Sequence, residues 1–322
     1  MIVRFIIHHL YLIDLLFLLV IPAVLLIGFF VRRRHGHKSF VSYLLPLISI
    51  LVAGIYAYGK FVGTRQLEVR HVELAFDDLP EAFDGYRLVQ LSDLHLGSLP
   101  DGMLRRVVDS VNALKPDLIV FTGDMMNCAS VEMEKQFSQF KRLKSADGIC
   151  SVLGNHDYGT YEFEDAFLAD ADEGRLVSLQ MDLKWRVLMN GYRSVRRGDS
   201  RLVIAGMEND GEKPEFQHGD LSNTLIGIRR HDFVIMLEHD PTSWSRRILP
   251  HSHVQLTLSG HTHGGQFSLF GLTPAMFKYR HYQGLYQTGQ RRLYVTKGLG
   301  GVVPYRFGVT PEIVVITLRS EQ

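Results

Sequence analysis

Cysteine is rare in this 322-residue chain, and neither sign of charge dominates. Its two cysteines, Cys128 and Cys150, form no CxxC pair, which excludes a thiolate zinc site. Their apolar surroundings predict buried free thiols. A formal net charge of +1 gives no argument for a nucleic-acid partner. With 46% hydrophobic and 21% charged residues, the chain can bury a large core, and wholesale disorder is excluded.

Long apolar runs are confined to the first 62 residues. Residues 11–31 and 40–61 are each about 20 residues long, enough to cross a hydrocarbon core of ~30 Å as a helix. They predict a membrane anchor over residues 1–62, built as a hairpin of two transmembrane helices, with a second domain over residues 63–322. A cleaved signal peptide is disfavoured, because the first run exceeds an apolar region of roughly 7–15 residues and no small-residue cleavage site follows.

The loop between the two apolar runs is basic. Residues 32–38 contain three arginines and a lysine, which predicts that the loop stays cytoplasmic. Both ends of the hairpin then face the other side of the membrane. The expectation is an integral protein of a bacterial cytoplasmic membrane with its large domain outside the cytoplasm, although basic residues after the second run weaken this bias.

Beyond residue 63, strand-like and helix-like segments alternate. Apolar runs predict strands at 86–92, 117–122 and 149–153, and spacings of three and four residues predict helices at 101–114 and 131–144. Residues 161–219 show no clear pattern. Further predicted strands lie at 202–205, 233–237, 254–259, 293–296 and 312–318. Alternating elements followed mainly by strands indicate an α/β sandwich.

Residue types that bind metals cluster where the predicted strands end. The clusters comprise Asp93, His95, Asp124, Asn155, His156, Asp157, His239, His261 and His263. In open α/β sheets the carboxyl ends of strands form the crevice that binds ligands. Carboxylate, imidazole and amide groups without thiolate favour manganese, iron or zinc. Seven of them are the candidate ligands, namely Asp93, His95, Asp124, Asn155, His239, His261 and His263. Seven are too many for one catalytic metal and fit two metals that share a bridging carboxylate.

The ordered series DxH, GD, GNHD, H and GHTH resembles the calcineurin-like metallophosphoesterase superfamily over about residues 86–318. Flanking segments such as LVQLSDLHLGS look like its bacterial, membrane-associated, phosphodiesterase-like members. The resemblance implies a four-layer α/β/β/α sandwich with two divalent metal ions. It implies one metal on Asp93, His95 and His263, another on Asn155, His239 and His261, and Asp124 as the bridge. It also implies that His156 faces the phosphate as the catalytic residue and that Asp157 supports the ligands from behind.

The expected activity is hydrolysis of a phosphodiester or phosphomonoester, on a lipid-linked or other cell-envelope substrate. Two cations ~3.5–4 Å apart lower the pKa of a bridging water and hold the phosphate for in-line attack by hydroxide. His156, when protonated, stabilises the developing charge or donates a proton to the leaving oxygen.

Three alternatives stay open. The resemblance offers a sharper substrate, UDP-2,3-diacylglucosamine of lipid A synthesis, but in the family that pyrophosphate is cleaved on the cytoplasmic side, against the predicted topology. A non-catalytic metal-binding scaffold is disfavoured, because all seven ligand positions are filled. Residues 268–277 form either an apolar lip for a lipid-linked phosphate or part of the core, and the core is favoured because most apolar runs are buried.

Overall fold

The computed structural model describes residues 21–34 and 40–321, and it begins with two helices. Residues 21–34 are helical (α1), and α2 spans Val41–Phe61. Within the described part of the chain, one helical stretch, Tyr43–Arg65, is long and apolar enough to cross a membrane. Residues 11–20 of the first predicted span lie outside the described residues. The predicted hairpin is therefore not confirmed, because the described part of α1 is shorter than a bilayer requires.

Twelve strands and six further α-helices follow within the described residues. The helices are α3 Met103–Leu114, α4 Val131–Phe140, α5 Ala166–Asp182, α6 Leu221–Thr224, α7 Leu249–His251 and α8 Ala275–Lys278. The first six strands are β1 Glu68–Phe76, β2 Arg87–Leu91, β3 Leu118–Thr122, β4 Ile149–Val152, β5 Arg186–Val187 and β6 Gly191–Arg197. The others are β7 Ser200–Gly206, β8 Phe233–Leu237, β9 Leu256–Ser259, β10 Gly284–Thr288, β11 Arg291–Val295 and β12 Glu312–Ser320.

The strands form two six-stranded mixed sheets. The first has the order β1-β12-β2-β3-β4-β5, in which β12 and β2 are antiparallel and the other neighbours are parallel. The second has the order β10-β11-β9-β8-β7-β6, with parallel central strands and an antiparallel pair at each edge. Because β2, β3 and β4 run parallel, as do β8 and β9, the loops that follow them share one edge of each sheet.

Alternating side chains give each sheet two buried faces. One apolar layer lies between the sheets, where Leu118 and Val120 of β3 belong to the same cluster as Ile235 of β8. A second layer joins the opposite face of the first sheet to α3, α4 and α5, and a third joins the second sheet to Trp244 and Ile248. The layers therefore run helix, sheet, sheet, helix, in the predicted order. Cys128 and Cys150 are buried free thiols, as predicted.

Residues 161–219 hold the elements that the sequence pattern left undefined. Helix α5 buries few apolar residues and leaves Phe167 77% exposed, so it has no clean apolar stripe. Strand β6 lies at a sheet edge and carries three arginines. The predicted helix at 131–144 ends earlier, at Phe140, and turns occupy the residues that follow.

Candidate metal centre

The five predicted clusters converge at the facing edges of the two sheets. They lie in the loops after β2, β3, β4, β8 and β9. A direct contact joins the two sheets there, because Nδ1 of His239 lies 2.7 Å from the carbonyl oxygen of Thr122 at the end of β3. The loop after β8 is thereby fixed against the loop after β3.

The first group of side chains consists of Asp93, His95, Asp124 and His263. One ligand atom from each lies within 4.8 Å of all the others. Nε2 of His95 is 3.4 Å from Oδ2 of Asp124, and Nε2 of His263 is 3.7 Å from Oδ1 of Asp93. Two carboxylates and two imidazoles therefore face one small volume.

The second group consists of Asp124, His239 and His261, whose ligand atoms again lie within 4.8 Å of one another. Asn155 joins them, because its Oδ1 is 2.8 Å from Nδ1 of His261. The same Nδ1 is 3.3 Å from Nε2 of His239, which in turn is 3.2 Å from Oδ2 of Asp124. All seven residues predicted as ligands are thus brought together in two groups that share Asp124.

Several atoms of these groups have no protein partner that satisfies them. His95 is fully buried, and neither of its ring nitrogens accepts or donates a hydrogen bond among the described residues. Nδ1 of His263 is likewise without such a bond within residues 21–34 and 40–321. Buried polar atoms without partners are costly, and buried carboxylates require a compensating cation. The nitrogen and carboxylate oxygen atoms of these groups therefore fit as ligands of divalent cations bound between them.

The direction of the pKa shift differs among the residues of the candidate metal centre. Burial raises the pKa of Asp93 and lowers the pKa of His261 and His263, so each favours its neutral form. Burial also opposes charge on Asp124 and His239, but their mutual attraction outweighs it. The pKa of Asp124 is consequently held well below its usual range and that of His239 well above.

The backbone of the centre is strained. Five residues adopt left-handed φ angles, namely Asp93 (52°), His95 (46°), Asp124 (54°), His261 (71°) and His263 (52°). Non-glycine residues rarely adopt this conformation, and such strain concentrates at functional sites. Two glycines make the close approach possible. A Cβ on Gly123 would lie 2.6 Å from Nδ1 of His239, and one on Gly260 would lie 2.2 Å from Oδ2 of Asp93.

The two remaining predicted residues lie beside the ligand groups. His156 stands next to Asp124, whose Oδ1 accepts a 2.9 Å hydrogen bond from the His156 backbone N–H. Its ring Nδ1 lies 2.7 Å from the carbonyl oxygen of Asn127, so Nδ1 carries the proton and Nε2 is left for a substrate. Burial lowers the pKa of His156 to about 4, although Asp124 opposes the shift, so the ring favours its neutral form in the free site, in contrast to the protonated form expected from the sequence.

Asp157 ties two of the loops together from behind the ligands. Its carboxylate accepts hydrogen bonds from the backbone N–H groups of Met125 (2.9 Å), Met126 (3.2 Å) and Gly154 (3.0 Å). Three such bonds fix the loop that carries Asp124 against the loop that begins at Gly154.

Residues 86–265, more than half of the chain, match the calcineurin-like phosphoesterase family. The chain belongs to this family. The resemblance inferred from the motifs is confirmed, and membership makes this phosphoesterase a hydrolase of phosphoric esters. Family membership together with the buried Asp and His groups also indicates that it binds divalent metal.

Three relatives illustrate the range of the family. An uncharacterized metallophosphoesterase of Bacillus subtilis, YkuE, is 33% identical over 89% of this phosphoesterase and 99% of its own length. A Danio rerio protein named as a transmembrane protein with a metallophosphoesterase domain is 29% identical over 96% of this chain and 71% of its own. UDP-2,3-diacylglucosamine pyrophosphatase LpxG of Chlamydia muridarum is 29% identical over 88% and 99%.

A cleft of about 380 Å³ opens beside the metal groups of this phosphoesterase. Asn155, His156 and His261 form its inner wall, and Lys213 and Lys278 line it as well. Glu212 and Asp240 line the same cleft and offset the two lysines, so the positive charge of the cleft would come from metals bound at the neighbouring ligand groups. An anionic phosphate ester suits such a cleft.

Three residues that support the site were given no role from the sequence, because none of them belongs to a ligand motif. The ring of Tyr161 stacks on His156 at 4.0 Å, and its hydroxyl accepts a hydrogen bond from Nδ2 of Asn155. The hydroxyl of Tyr279 lies 3.1 Å from Nε2 of His261. Arg306, only 2% exposed, donates to the carbonyl oxygen of His263. Only the position of the tyrosines near the motifs hinted at their role.

Proposed function

We propose that the chain is a membrane-anchored phosphoesterase that uses two metal ions, with its catalytic domain over residues 63–322. The observation that carries the proposal is the position of Asp124. Its Oδ2 faces Nε2 of His95 at 3.4 Å and Nε2 of His239 at 3.2 Å. A carboxylate oxygen shared by two groups of ligands is what a dinuclear centre requires.

Each proposed metal has a defined set of ligands. Asp93, His95 and His263 would hold one ion, Asn155, His239 and His261 the other, and Asp124 would bridge them. When bound, such a pair of cations supplies Lewis-acid activation of water and of the ester phosphate. Oxygen and imidazole donors without thiolate favour manganese, iron or zinc.

In the proposed reaction, the side chains of the protein orient the phosphate ester and stabilise the charge that develops on it. His156 is the proposed catalytic residue, because the Asn127 carbonyl fixes its Nδ1–H and its ring lines the cleft. An anionic ester bound there would raise the pKa of the ring, so that a protonated Nε2 donates to the phosphate or to the leaving oxygen. Tyr161 covers one face of the ring and fixes its plane. Lys213 and Lys278 can contact the negative ester, while Glu212 and Asp240 line the same cleft. Asp157 holds the loops after β3 and β4 together through its backbone hydrogen bonds.

The proposal places residues 1–62 in a bacterial cytoplasmic membrane. Support comes from the apolar stretch Tyr43–Arg65 and from the Danio rerio relative named as a transmembrane protein. Gly28 of α1 lies against Pro46 of α2, as it would in a helical hairpin. An extracytoplasmic catalytic domain follows from the basic loop and stays a prediction, which a periplasm-specific reporter fused after residue 322 would test.

Metal-dependent hydrolysis by the full chain tests the proposal. The detergent-solubilised protein is stripped of metal, refilled with Mn²⁺, Zn²⁺ or Fe²⁺, and assayed with bis-p-nitrophenyl phosphate and p-nitrophenyl phosphate. Asp124→Asn is expected to lose activity by about 10³-fold or more and to bind less metal, because both ion positions share its carboxylate. Asp109→Asn, on the exposed face of α3, is the matched control. Near-normal activity and metal content in Asp124→Asn would refute the dinuclear assignment.

A second candidate function is cleavage of the pyrophosphate in UDP-2,3-diacylglucosamine. The LpxG relative favours it, because the similarity extends over 88% of this chain and 99% of that protein. The products would be uridine monophosphate and a diacylglucosamine phosphate, which chromatography separates. A rate no higher than that on bis-p-nitrophenyl phosphate would reject this substrate and leave the general proposal standing.

A further inference from the structure

Residues 269–277 are the part of the predicted 268–277 run that projects from the domain just after the GHTH motif, and they are called the apolar lip from here on. Phe270 is 95% exposed, Phe277 85% and Leu272 60%. The core packing favoured from the sequence is therefore wrong for most of this segment. Contiguous exposed apolar side chains on a folded domain mark an interaction surface.

The tip of the apolar lip breaks the usual rules of turn chemistry. Leu269 and Leu272 exchange two backbone hydrogen bonds of 3.0 Å, which leaves Phe270 and Gly271 as a two-residue loop. Both loop residues have left-handed φ angles, 53° and 82°. Asn-Gly is the preferred sequence for such a turn, and a phenylalanine there is strained. The phenyl ring is exposed despite this strain, as expected of a residue that serves an interaction outside the domain.

The apolar lip is fixed to the metal centre at its base. The hydroxyl of Thr273 donates a 2.7 Å hydrogen bond to the carbonyl of Gly264, the neighbour of His263. Beyond the lip, Tyr279 reaches His261 at 3.1 Å and lines the catalytic cleft. Whatever binds the lip is therefore held at the mouth of the cleft.

The apolar lip is also continuous with α2. Tyr58 of α2 packs edge-to-face on Phe307, with ring centroids 5.8 Å apart, and Phe307 stacks on Phe267 at 5.6 Å. Ser268, the residue before the lip, donates a 2.7 Å hydrogen bond to the Phe307 carbonyl. Phe270 is three residues beyond Phe267, within about 10 Å along an extended chain.

The depth of this contact indicates which partner the lip meets. The hydroxyl of Tyr305 reaches the carbonyl oxygen of Ile55, six residues before the end of α2 at Phe61. At a rise of 1.5 Å per residue, Ile55 lies about 9 Å before that end, so Tyr305 packs beside the last turns of α2, where the proposed span meets the membrane surface. Lys278 and Arg280 follow the lip and are exposed, which suits an anionic membrane surface.

We propose that the apolar lip inserts into the bilayer spanned by α2, so that the cleft opens at the membrane surface and takes phosphate esters of lipids from the bilayer. The inference rests on the proposed membrane span and deepens the proposed function by naming a substrate class. Insertion of the lip does not require hydrolysis, so the two can be tested separately.

Quenching of tryptophan by brominated lipid measures the insertion. The full chain is reconstituted in vesicles of phosphatidylcholine and phosphatidylglycerol with plain or brominated acyl chains. Phe270→Trp is expected to lose at least about half of its added fluorescence to bromine, as an interfacial aromatic residue should. Leu47→Trp, 63% exposed in the middle of α2, is the positive control, and Phe167→Trp on α5 is the negative control.

Each outcome bears on the proposal. The native Trp185 and Trp244 are buried and give a common background, which the wild type measures. Phe277→Trp is a second reporter in case Phe270→Trp misfolds. Quenching of both lip reporters by aqueous iodide would show that water surrounds the lip. Protection of the reporters only at high protein density would show that a second copy covers it. Either result would overturn the proposal. An unquenched Leu47→Trp would remove its premise, and hydrolysis of bis-p-nitrophenyl phosphate by the same samples reports the catalytic proposal independently.

Discussion

Glu132, at the start of α4, is predicted to clamp together two loops of the metal centre that also share backbone hydrogen bonds. Its Oε2 accepts hydrogen bonds from the backbone N–H groups of Gly97 (2.8 Å) and Asn127 (2.7 Å), and its Oε1 from that of Cys128 (3.0 Å). Gly97 lies two residues after His95. A single carboxylate thus joins the loop after β2 to the loop after β3.

The cost of removing this clamp follows from its bonds. Hydrogen bonds to a charged acceptor contribute about 1.5–3 kcal/mol each, and water can replace the one at the exposed Gly97. Glu132→Ala is therefore expected to cost roughly 3–5 kcal/mol, whereas Glu132→Gln keeps one acceptor oxygen and should cost less than half as much. For a domain of this size, the larger loss lowers the Tm by roughly 6–20 °C. Thermal unfolding of the full chain in detergent, followed by circular dichroism, measures it.

The same substitution should reach the metal centre. The Asn127 carbonyl that holds His156 belongs to the clamped loop, so Glu132→Ala should lower kcat as well as metal content. Glu134→Ala is the matched control in the same helix, because its ion pair with Arg175 is exposed and is expected to contribute under about 1 kcal/mol. If Glu132→Ala unfolds within about 2 °C of the wild type and binds metal normally, the clamp argument is wrong.

Two further predictions concern groups beside the cleft and behind it. Burial, with the nearby Glu208, raises the pKa of Glu173 to about 7 in the folded protein, above the ordinary value of 4.5. The folded state therefore holds the proton more tightly than the unfolded state, and the free energy of unfolding falls as the pH rises from about 4.5 to 7. Glu173→Gln should therefore be more stable than the wild type by roughly 1–2 kcal/mol at pH 8, after discounting for solvent, and equal to it near pH 4.5 in thermal melts. Equal melting temperatures at pH 8 would contradict this. Tyr161→Phe keeps the stacking on His156 but removes the acceptor for the Asn155 amide, so chelator competition should show about tenfold weaker binding of one metal, with unchanged Tm. Unchanged affinity for both metals would count against that role of the hydroxyl.

The buried central strands were predictable because their sequence is continuously apolar. Every residue of β8, Phe233–Leu237, is buried, and its predicted bounds match the structure. Parallel strands covered on both faces have this composition, and the polar motif that follows marks where the strand ends. The predicted ligands could be located at the strand ends because each apolar run is followed by residues of metal-binding types.

Edges and supports of the fold could not be predicted in the same way. Strand β6 at the sheet edge has an exposed face, and its arginines hide the period-two pattern. Glu132 is 37 positions from His95, and its partners are backbone N–H groups, which leave no trace in residue identity. The left-handed angles of the ligand residues are equally invisible, because asparagine or glycine would have been expected at such positions.

The apolar lip shows where a compositional rule misleads. Most apolar runs are buried, yet Phe270 and Phe277 are almost fully exposed. This run lies close after a predicted ligand motif and has a strained turn at its tip. Unlike a core strand, it does not alternate apolar and polar residues, so it has no single face to bury. Local inconsistency of this kind is expected where function outweighs stability.

Helix α2 and the candidate metal centre are joined through Arg306. The backbone N–H of Arg306 donates a 3.0 Å hydrogen bond to the carbonyl of Gly59 in α2, while its guanidinium donates to the carbonyls of His263, Lys297 and Gly300. One residue therefore connects the apolar helix to a predicted metal ligand, and a buried guanidinium is held in place only if its acceptors stay in place. Deleting residues 1–62 would remove the acceptor on Gly59 and expose the faces of Tyr305 and Phe307 that pack on α2. The helix thus acts as part of the scaffold that positions His263, and activity should be measured on the full chain.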